Sequence, residues 1–191
     1  MTTPPEHVVL LDADRNPIGT MDKSVVHTHN TPLHLGFSSY LFTPDGKFLT
    51  TRRALSKKAW PGVWTNSVCG HPQLNEKRED AVSRRCRYEL GADVARITLV
   101  DDEFSYCVTS ASGIVENEYC PVFMAVLASD LSPRADEVLD YRWVDLTDLI
   151  DAAAKTPWAF SPWMVQQLAN PVIQGRLLAF VASLTEPTSS L

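Results

Sequence analysis

The chain has 191 residues, of which 45% are hydrophobic and 21% are charged, and its formal net charge is −6. This composition is that of a globular protein with a core of its own, and an acidic chain is a poor default binder of nucleic acid. No run of residues approaches the ~20 apolar residues of a membrane-spanning helix, and the N-terminus lacks the features of a signal peptide. We therefore expect a single domain in the cytoplasm.

Strands and helices follow one another in a pattern typical of an α/β protein. In chain order we predict strands at 8–11 and 18–21, a helix from 23 to about 29, strands at 37–42 and 47–52, a helix at 79–90, strands at 97–100, 103–109, 119–127 and 141–144, and helices at 145–153, 161–169 and 171–184. Strands thus surround a central helix, and the other long helices come late. This order favours an α/β sandwich with a sheet of mixed strand direction.

The central helix has the clearest pattern. Ala81, Val82, Cys86 and Leu90 recur at helical spacing and give the helix one buried face, and Gly91 provides a C-terminal stop. The helix follows directly on a stretch at 65–72, which we expect to form a tight turn.

The cysteines argue against a structural zinc site. The four are Cys69, Cys86, Cys107 and Cys120, and no pair has CxxC spacing. In a reducing cytosol we expect free thiols. A role as a small buried apolar side chain suits Cys86, with Cys107 as a second candidate. The same role is not assumed for Cys69.

Cys69 lies two residues before His71, and the helix that follows carries Glu76 and Glu89. A thiol, an imidazole and carboxylates in this order suggest a metal-assisted active site. The alternative is a polar loop before a solvated helix. Basic side chains also occur in small groups, at 52–53, 57–58 and 84–87, which suits a small anionic ligand as well as ordinary surface solvation.

The spacing of Gly70, Glu76, Arg84, Glu89 and Gly91 resembles the Nudix box, a loop and helix whose acids hold divalent metals against a diphosphate. Two of the box carboxylates are missing, and Arg85 and Tyr88 stand in their places. The resemblance implies a single-domain α/β/α sandwich with a mixed sheet. It also implies a catalytic core at 32–166, preceded by a strand and helix extension and followed by C-terminal helices.

Four dispersed stretches, at 67–72, 84–91, 113–118 and 156–163, closely resemble the type I isopentenyl diphosphate isomerases. The resemblance implies an isomerase of isoprenoid precursor biosynthesis that interconverts isopentenyl diphosphate and dimethylallyl diphosphate. The reaction passes through a tertiary carbocation, which must form by protonation of the alkene and decay by loss of a proton.

The same resemblance implies two metal ions. The ligands of the first ion are His27, His34, His71, Glu116 and Glu118, a set that suits Mn²⁺, Mg²⁺ or Zn²⁺. The resemblance favours His27 over the nearby His29. A second ion, Mg²⁺, is implied at Glu89 together with the diphosphate.

Roles for further side chains also follow from the resemblance. The residues implied in diphosphate binding are Lys23, Arg53, Lys57 and Arg85. Cys69 and Glu118 form the implied acid–base pair, and which of them gives the proton in each direction is left open. Tyr106 helps relay a proton to Glu118, and the ring of Trp163 stabilises the cation.

The other tryptophans are assigned less specific roles. We expect Trp143 to pack in the core, whereas Trp60, Trp64 and Trp158 either line the pocket or pack.

Two other functions compete with the isomerase. The first is a Nudix pyrophosphohydrolase, which would need the missing carboxylates and would have no use for Cys69. The second is a noncatalytic metal-binding or scaffold protein, which would not need Cys69, Glu118 and Trp163 together. For partners we expect a small isoprenoid diphosphate, no nucleic acid and no membrane, and a monomer is favoured over an oligomer.

Overall fold

A computed structural model describes residues 6–186 of the chain. The strands are β1 (His7–Leu11), β2 (Pro17–Asp22), β3 (His34–Leu35), β4 (Phe37–Phe42), β5 (Phe48–Arg53), β6 (Trp64–Thr65), β7 (Val68–Gly70), β8 (Val94–Asp101), β9 (Ser105–Thr109), β10 (Val115–Tyr119), β11 (Val122–Leu127) and β12 (Val138–Val144). The helices are α1 (Lys23–Val26), α2 (Arg78–Leu90), α3 (Leu146–Lys155), α4 (Pro162–Ala169) and α5 (Pro171–Thr185), with a 3₁₀ helix at Pro157–Ala159. None of these helices is both long and apolar enough to span a bilayer.

The strands form two mixed sheets. The five-stranded sheet has the order β2-β1-β3-β10-β9, and the seven-stranded sheet has the order β12-β5-β4-β11-β8, with β6 on β5 and β7 on β4. The pairs β3/β10 and β4/β11 are parallel, and the other pairs are antiparallel. The predicted mixed strand direction is confirmed.

Strand β4 explains why helices cover the larger sheet on both faces. All of its residues are buried, and they alternate between two apolar clusters. Phe37 and Leu41 pack with the buried face of α2, whereas Tyr40 and Phe42 pack with α3, α4 and α5. A strand that is apolar on both faces requires cover on both sides. The chain is therefore a single-domain α/β/α sandwich, as predicted.

The central helix also forms as expected. Cys86 is fully buried in the cluster beneath α2. Gly91 adopts a left-handed conformation with φ of 62°, and its N–H donates to the carbonyl of Arg87. This is the αL ending that glycine adopts without a steric penalty.

Several local predictions are wrong for identifiable reasons. Helix α1 ends at Val26 rather than near residue 29, because His27 is already extended. The single strand predicted at 119–127 is divided between β10 and β11, since Pro121 has no N–H to donate to a ladder. The stretch at 65–72 is not one tight turn, because β6 and β7 within it pair with β5 and β4.

Two predictions of core packing are also wrong. Cys107 is exposed on β9, and Trp143 on β12 is 37% exposed. Both strands lie at the edge of a sheet, where one side of the strand has no neighbouring strand. The composition of one segment does not reveal whether its strand lies at the edge or in the middle of a sheet.

The two sheets are joined where two neighbouring segments pass from one to the other. Gly36 links β3 to β4, and Cys120 and Pro121 link β10 to β11. The segments run side by side, because the N–H of Gly36 donates to Tyr119 O at 2.9 Å and that of Ser38 donates to Pro121 O at 3.0 Å. Residues from both sheets consequently meet at this junction.

Candidate metal centre and active site

A cavity of about 550 Å³ is lined by side chains of both sheets and of helix α2. The five-stranded sheet contributes Tyr106, Glu116 and Glu118, whereas Cys69 and Arg53 belong to the seven-stranded sheet. The wall therefore combines a thiol, carboxylates, a phenol and a guanidinium around one space.

Three histidines and Glu118 converge beside this cavity. His27 follows α1, His34 lies in β3, His71 follows β7, and Glu118 lies in β10. One potential ligand atom from each lies within 4.8 Å of the corresponding atoms of the others. The ring centroids of the histidines are 5.2 to 5.8 Å apart. The structure thus brings together four side chains spread over residues 27 to 118.

The hydrogen bonding of these histidines fits a cation. Nδ1 of His34 lies 2.9 Å from the carbonyl oxygen of Pro32, so Nδ1 carries the hydrogen and Nε2 keeps a lone pair. Nε2 of His27, Nε2 of His34 and Nδ1 of His71 are buried and make no hydrogen bond of normal geometry within residues 6–186, although carboxylate oxygens lie 3.1 and 3.4 Å from the first two. Buried polar atoms without a partner are rare and need an explanation. A divalent ion bound by imidazole nitrogens and a carboxylate provides one.

The two predicted carboxylate ligands occupy different places. Glu116 and Glu118 are both buried on β10, which fits the common facing expected of residues two apart on a strand. Glu118 Oε1 lies 2.9 Å from Nε2 of His71 and 3.4 Å from Nε2 of His34. Glu116 Oε2 lies 3.1 Å from Nε2 of His27, at the edge of the group.

The protonation states of Glu118 and His71 suit a metal ligand set. Burial alone would lower the pKa of His34, but the carboxylate of Glu118 raises it. Burial alone would raise the pKa of Glu118, but its interactions with the nearby imidazoles of His34 and His71 hold it well below its usual value. Burial lowers the pKa of His71 to about 4, although the carboxylate of Glu118 opposes the shift. An ionised carboxylate and a neutral imidazole are the forms that bind a metal.

Glu118 can take its position because residue 36 is a glycine. A β-carbon on Gly36 would lie 2.3 Å from Glu118 Oε2, which is well inside van der Waals contact. The sequence did not single out Gly36, because the close approach joins the residue between β3 and β4 to a residue of β10 that is distant along the chain.

The second oxygen of Glu118 faces a phenol. Tyr106 donates its hydroxyl hydrogen to Glu118 Oε2 at 3.1 Å, and its ring lies 5.7 Å from that of Trp163. Burial raises the pKa of Tyr106 well above its usual value, so the phenol keeps its proton. Glu118 thereby connects the three histidines to Tyr106, and through the ring of Tyr106 to Trp163.

Cys69 lies on β7, half-buried at the cavity wall. Burial raises the pKa of the thiol to about 11, even though hydrogen bonds with Ser38 and Asn66 act in the opposite direction. The thiol is therefore protonated at neutral pH. Asn66 is fully buried and accepts a hydrogen bond from Nε1 of Trp163 at 3.0 Å. Asn66 was missed, although it lies within the stretch at 65–72 that drew attention to Cys69.

The predicted anion-binding side chains all line the cavity. They are Lys23, Arg53, Lys57 and Arg85. Three of them already face carboxylates. Lys23 contacts Glu6 at 2.6 Å, Lys57 pairs with Glu137, and Arg85 pairs with Glu89 and with Glu6.

Arg53 differs because it donates to the backbone carbonyl of Ala59 at 2.9 Å. Glu6 and Glu137 also line the cavity, but the sequence did not reveal them.

Glu89 is separate from the histidine group. It is buried on α2, its closest partner is Arg85, and it is not among the four convergent ligands. Burial raises its pKa, but the charges of Arg85 and Lys57 lower it below its usual value. Glu89 is thus an anion beside the cluster of cations.

The tryptophans, all of which the structure describes, have distinct environments. Trp163 lines the cavity and is 2% exposed. Trp60 packs edge-on against it with ring centroids 5.7 Å apart. Trp158 is 81% exposed, and neither it nor Trp64 is among the lining residues of the cavity.

Comparison with known proteins identifies the family to which this fold belongs. The NUDIX domain family matches residues 32–164. Among solved structures, DR0079 from Deinococcus radiodurans has a TM-score of 0.61 at 17% identity, covering 79% of this chain and 90% of that chain. The MutT protein from Methanosarcina mazei Go1 has a TM-score of 0.57 at 16% identity, covering 78% of this chain and 96% of that chain. At these identities the structures support the fold alone.

Curated relatives are much closer in sequence. The isopentenyl-diphosphate Delta-isomerase of Escherichia coli (strain K12) is 58% identical over 175 residues, which is 92% of this chain and 96% of that protein. The protein of the same name from Klebsiella pneumoniae (strain 342) is 55% identical over 179 residues, or 94% of this chain and 97% of that protein. The similarity therefore extends well beyond the NUDIX match at both ends.

Proposed function

Since the chain belongs to the Nudix superfamily and, within it, to the family of isopentenyl-diphosphate Delta-isomerases, we propose that it is an enzyme that interconverts isopentenyl diphosphate and dimethylallyl diphosphate. This reaction supplies isoprenoid precursors. The observation that carries the proposal is that a protonated thiol and an ionised carboxylate, Cys69 and Glu118, line one cavity from two different sheets.

The reaction needs two groups that can exchange protons with carbon. A proton must reach the terminal methylene of isopentenyl diphosphate, which leaves a tertiary cation. A second group must then remove a proton from the neighbouring carbon on the diphosphate side, and the double bond forms there. Cys69 and Glu118 can each carry and accept a proton. Their order of action in each direction stays open, and Tyr106 holds Glu118 through its hydroxyl.

The cationic intermediate accounts for an aromatic side chain at the cavity. The buried ring of Trp163 presents a π-face, and a desolvated cation–π contact is worth about 2 kcal/mol. That energy corresponds to more than tenfold in rate. Burial of this wall also limits access of water, which would otherwise capture the cation as an alcohol.

We assign the first metal ion to His27, His34, His71 and Glu118, with Glu116 at the edge of the group. The unpaired buried nitrogens support this assignment, and the donor types suit Mn²⁺, Mg²⁺ or Zn²⁺. When bound, the ion supplies positive charge that tunes the basicity of Glu118. We assign the diphosphate-bound Mg²⁺ to Glu89, which lies beside the cationic side chains.

Diphosphate binding is assigned to Lys23, Arg53, Lys57 and Arg85. These side chains line the same cavity, and three of them face carboxylates. An incoming diphosphate offers equivalent anionic oxygens in place of those of Glu6 and Glu137. The monomeric state, the cytoplasmic location and the absence of a nucleic-acid or membrane partner stay predictions.

Two side chains of helix α2 argue against the competing hydrolase activity. Arg85 and Tyr88 occupy positions where the hydrolytic box has carboxylates, and the guanidinium of Arg85 lies over the ring of Tyr88 at 4.7 Å. A cation at this position favours a bound anion over an additional metal ion. Release of phosphate is the outcome that separates the two reactions.

The test is incubation with isopentenyl diphosphate, Mg²⁺ and Mn²⁺ in heavy water. We expect dimethylallyl diphosphate with deuterium in a methyl group and no phosphate release. Cys69→Ala and Glu118→Gln should each reduce turnover by at least about 10³-fold, because each removes a proton-transfer group. Cys107→Ala is the matched control, since that thiol is exposed on β9, and it should keep full turnover. Phosphate release instead of isomerisation would overturn the proposed function.

A further inference from the structure

We propose that Asn66 is a positioning residue that holds Cys69 and Trp163 in their reactive arrangement through a single carboxamide. This inference rests on the proposed isomerase activity. It assigns a task to a fully buried polar side chain that has no assigned role in the reaction.

The orientation of the amide is uniquely determined. Oδ1 of Asn66 accepts from Nε1 of Trp163 and from Oγ1 of Thr65, both at 3.0 Å. Nδ2 donates to two backbone carbonyls, Ser39 O and Val68 O, both at 3.1 Å. An indole nitrogen only donates and a carbonyl oxygen only accepts, so the nitrogen and the oxygen cannot be exchanged.

This orientation fixes the direction of the Cys69 contact. The sulfur lies 3.2 Å from Nδ2 and 3.3 Å from Oδ1 of Asn66. The amide nitrogen only donates, so Oδ1 is the atom of this carboxamide that accepts the thiol hydrogen, and Nδ2 in turn donates toward the sulfur. The oxygen that anchors the indole therefore also anchors the sulfur, and rotation about the Cβ–Sγ bond is enough to turn the thiol hydrogen toward the cavity.

A second hydroxyl supports the same sulfur from β4. Ser38 Oγ lies 3.6 Å from Sγ of Cys69 and accepts from Nε2 of Gln167 at 2.9 Å. Gln167 in turn accepts from the hydroxyl of Tyr40 at 2.8 Å. The hydroxyl of Ser38 also lies 3.5 Å from the sulfur of Cys120, and neither Ser38 nor Gln167 has a hydrogen bond with the indole, whereas Asn66 contacts both the thiol of Cys69 and the indole. Asn66 thus sets the separation between a proton carrier and the face that stabilises the cation.

The hydrogen bonds of Asn66 are not those of a residue that binds diphosphate. All hydrogen bonds of its side chain join it to Cys69, to Trp163 or to neighbouring residues, and none joins it to a cationic side chain of the anion-binding group. Loss of Asn66 should therefore impair the chemical step rather than substrate binding. A residue important only for folding would not separate the two in this way.

The experiment compares three variants in the metal-loaded enzyme. For Asn66→Ala we expect kcat to fall about 100-fold, as for a misplacement of reacting groups by about 1 Å, with KM for isopentenyl diphosphate unchanged within about twofold. Asn66→Asp should recover kcat to within about tenfold of the natural enzyme. A carboxyl facing two carbonyl oxygens in the interior is protonated, so it keeps an acceptor and one donor.

Ser39→Ala is the matched control. Ser39 is also fully buried, and its hydroxyl donates to the same carbonyl of Val68 at 3.0 Å, but it has no hydrogen bond with Cys69 or Trp163. It should keep kcat within about twofold. If Asn66→Ala yields no folded protein, Asn66→Ser replaces it, because serine has one polar atom where asparagine has two.

The positioning role is overturned if the alanine (or serine) variant keeps kcat within about threefold, if KM rises as much as kcat falls, or if Ser39→Ala loses as much kcat. Failure of Asn66→Asp to recover activity in a folded, metal-loaded protein overturns it as well. Failure of the proposed function is a separate result, because the unsubstituted chain would then produce no dimethylallyl diphosphate.

Discussion

Arg85 allows a direct test of how much the buried ion pairs beside the cavity contribute to the stability of the fold. Its side chain is 2% exposed, and its guanidinium contacts Glu6 at 3.0 Å, Glu137 at 3.6 Å and, more closely, Glu89. The carboxylate of Glu89 is itself buried. Replacement by methionine keeps much of the volume of Arg85 but leaves that carboxylate without its main partner.

The expected loss follows from this burial. Removing one partner of a buried ion pair costs about 3 to 5 kcal/mol, because an uncompensated charge stays in the interior. Arg85→Met should lower the free energy of unfolding by that amount in urea titrations without metal or substrate. Total stabilities are about 5 to 15 kcal/mol, so the loss is large but measurable. A double substitution with Glu89→Gln should recover part of it.

Arg87→Met is the matched control on the same helix. Its side chain is 67% exposed and pairs with Asp93 at the surface, where such pairs contribute about 0 to 1 kcal/mol. Equal losses for Arg85→Met and Arg87→Met, or a loss below about 1 kcal/mol at Arg85, would refute the buried-pair reasoning.

Three more outcomes are expected. His71→Ala should lose one bound ion per chain by elemental analysis while exposed His29→Ala keeps it, and an unchanged metal content in His71→Ala would reject the histidine site. Trp163→Phe should reduce kcat less than Trp163→Ala, and equal losses would exclude stabilisation of the cation by the ring. Despite burial, the charges of Lys23 and Arg85 lower the pKa of Glu6 from 4.5 to about 2. Its stabilisation is thus present above pH ~4.5 and lost as the pH falls toward ~2. Allowing for solvent screening, Glu6→Gln should cost about 1 to 2 kcal/mol at pH 7 and little near pH 2, measured by denaturation. A pH-independent loss would contradict this.

The sequence predicted the layers of the fold because their signals are local. The helical spacing of Cys86 and Leu90 and the apolar strand at 37–42 require no knowledge of distant contacts. Edge positions depend on which strands pair, so the exposure of Cys107 and Trp143 could not be derived from their own segments.

The local order of Cys69 and His71 already indicated a metal-assisted site, but the remaining residues of the candidate site were predictable only through the resemblance to a family. His27, His34 and Glu118 have no common local spacing, yet the structure brings them together with His71. The missed residues act through contacts across long stretches of chain. Glu6 reaches Arg84 across 78 positions, and Gly36 matters only through its distance from Glu118. No local pattern encodes such contacts.

The paired crossing of the two sheets has a consequence for substrate choice. Cys69 and Glu118 line the cavity from strands of different sheets, and the junction between those sheets consists of two continuous backbones that are hydrogen-bonded through Gly36 and Tyr119. The separation of these two proposed proton-carrying groups therefore depends on the main chain of the junction, which substitutions of other side chains lining the cavity leave in place. Variants of those lining side chains should change which carbon tail fits without moving Cys69 relative to Glu118.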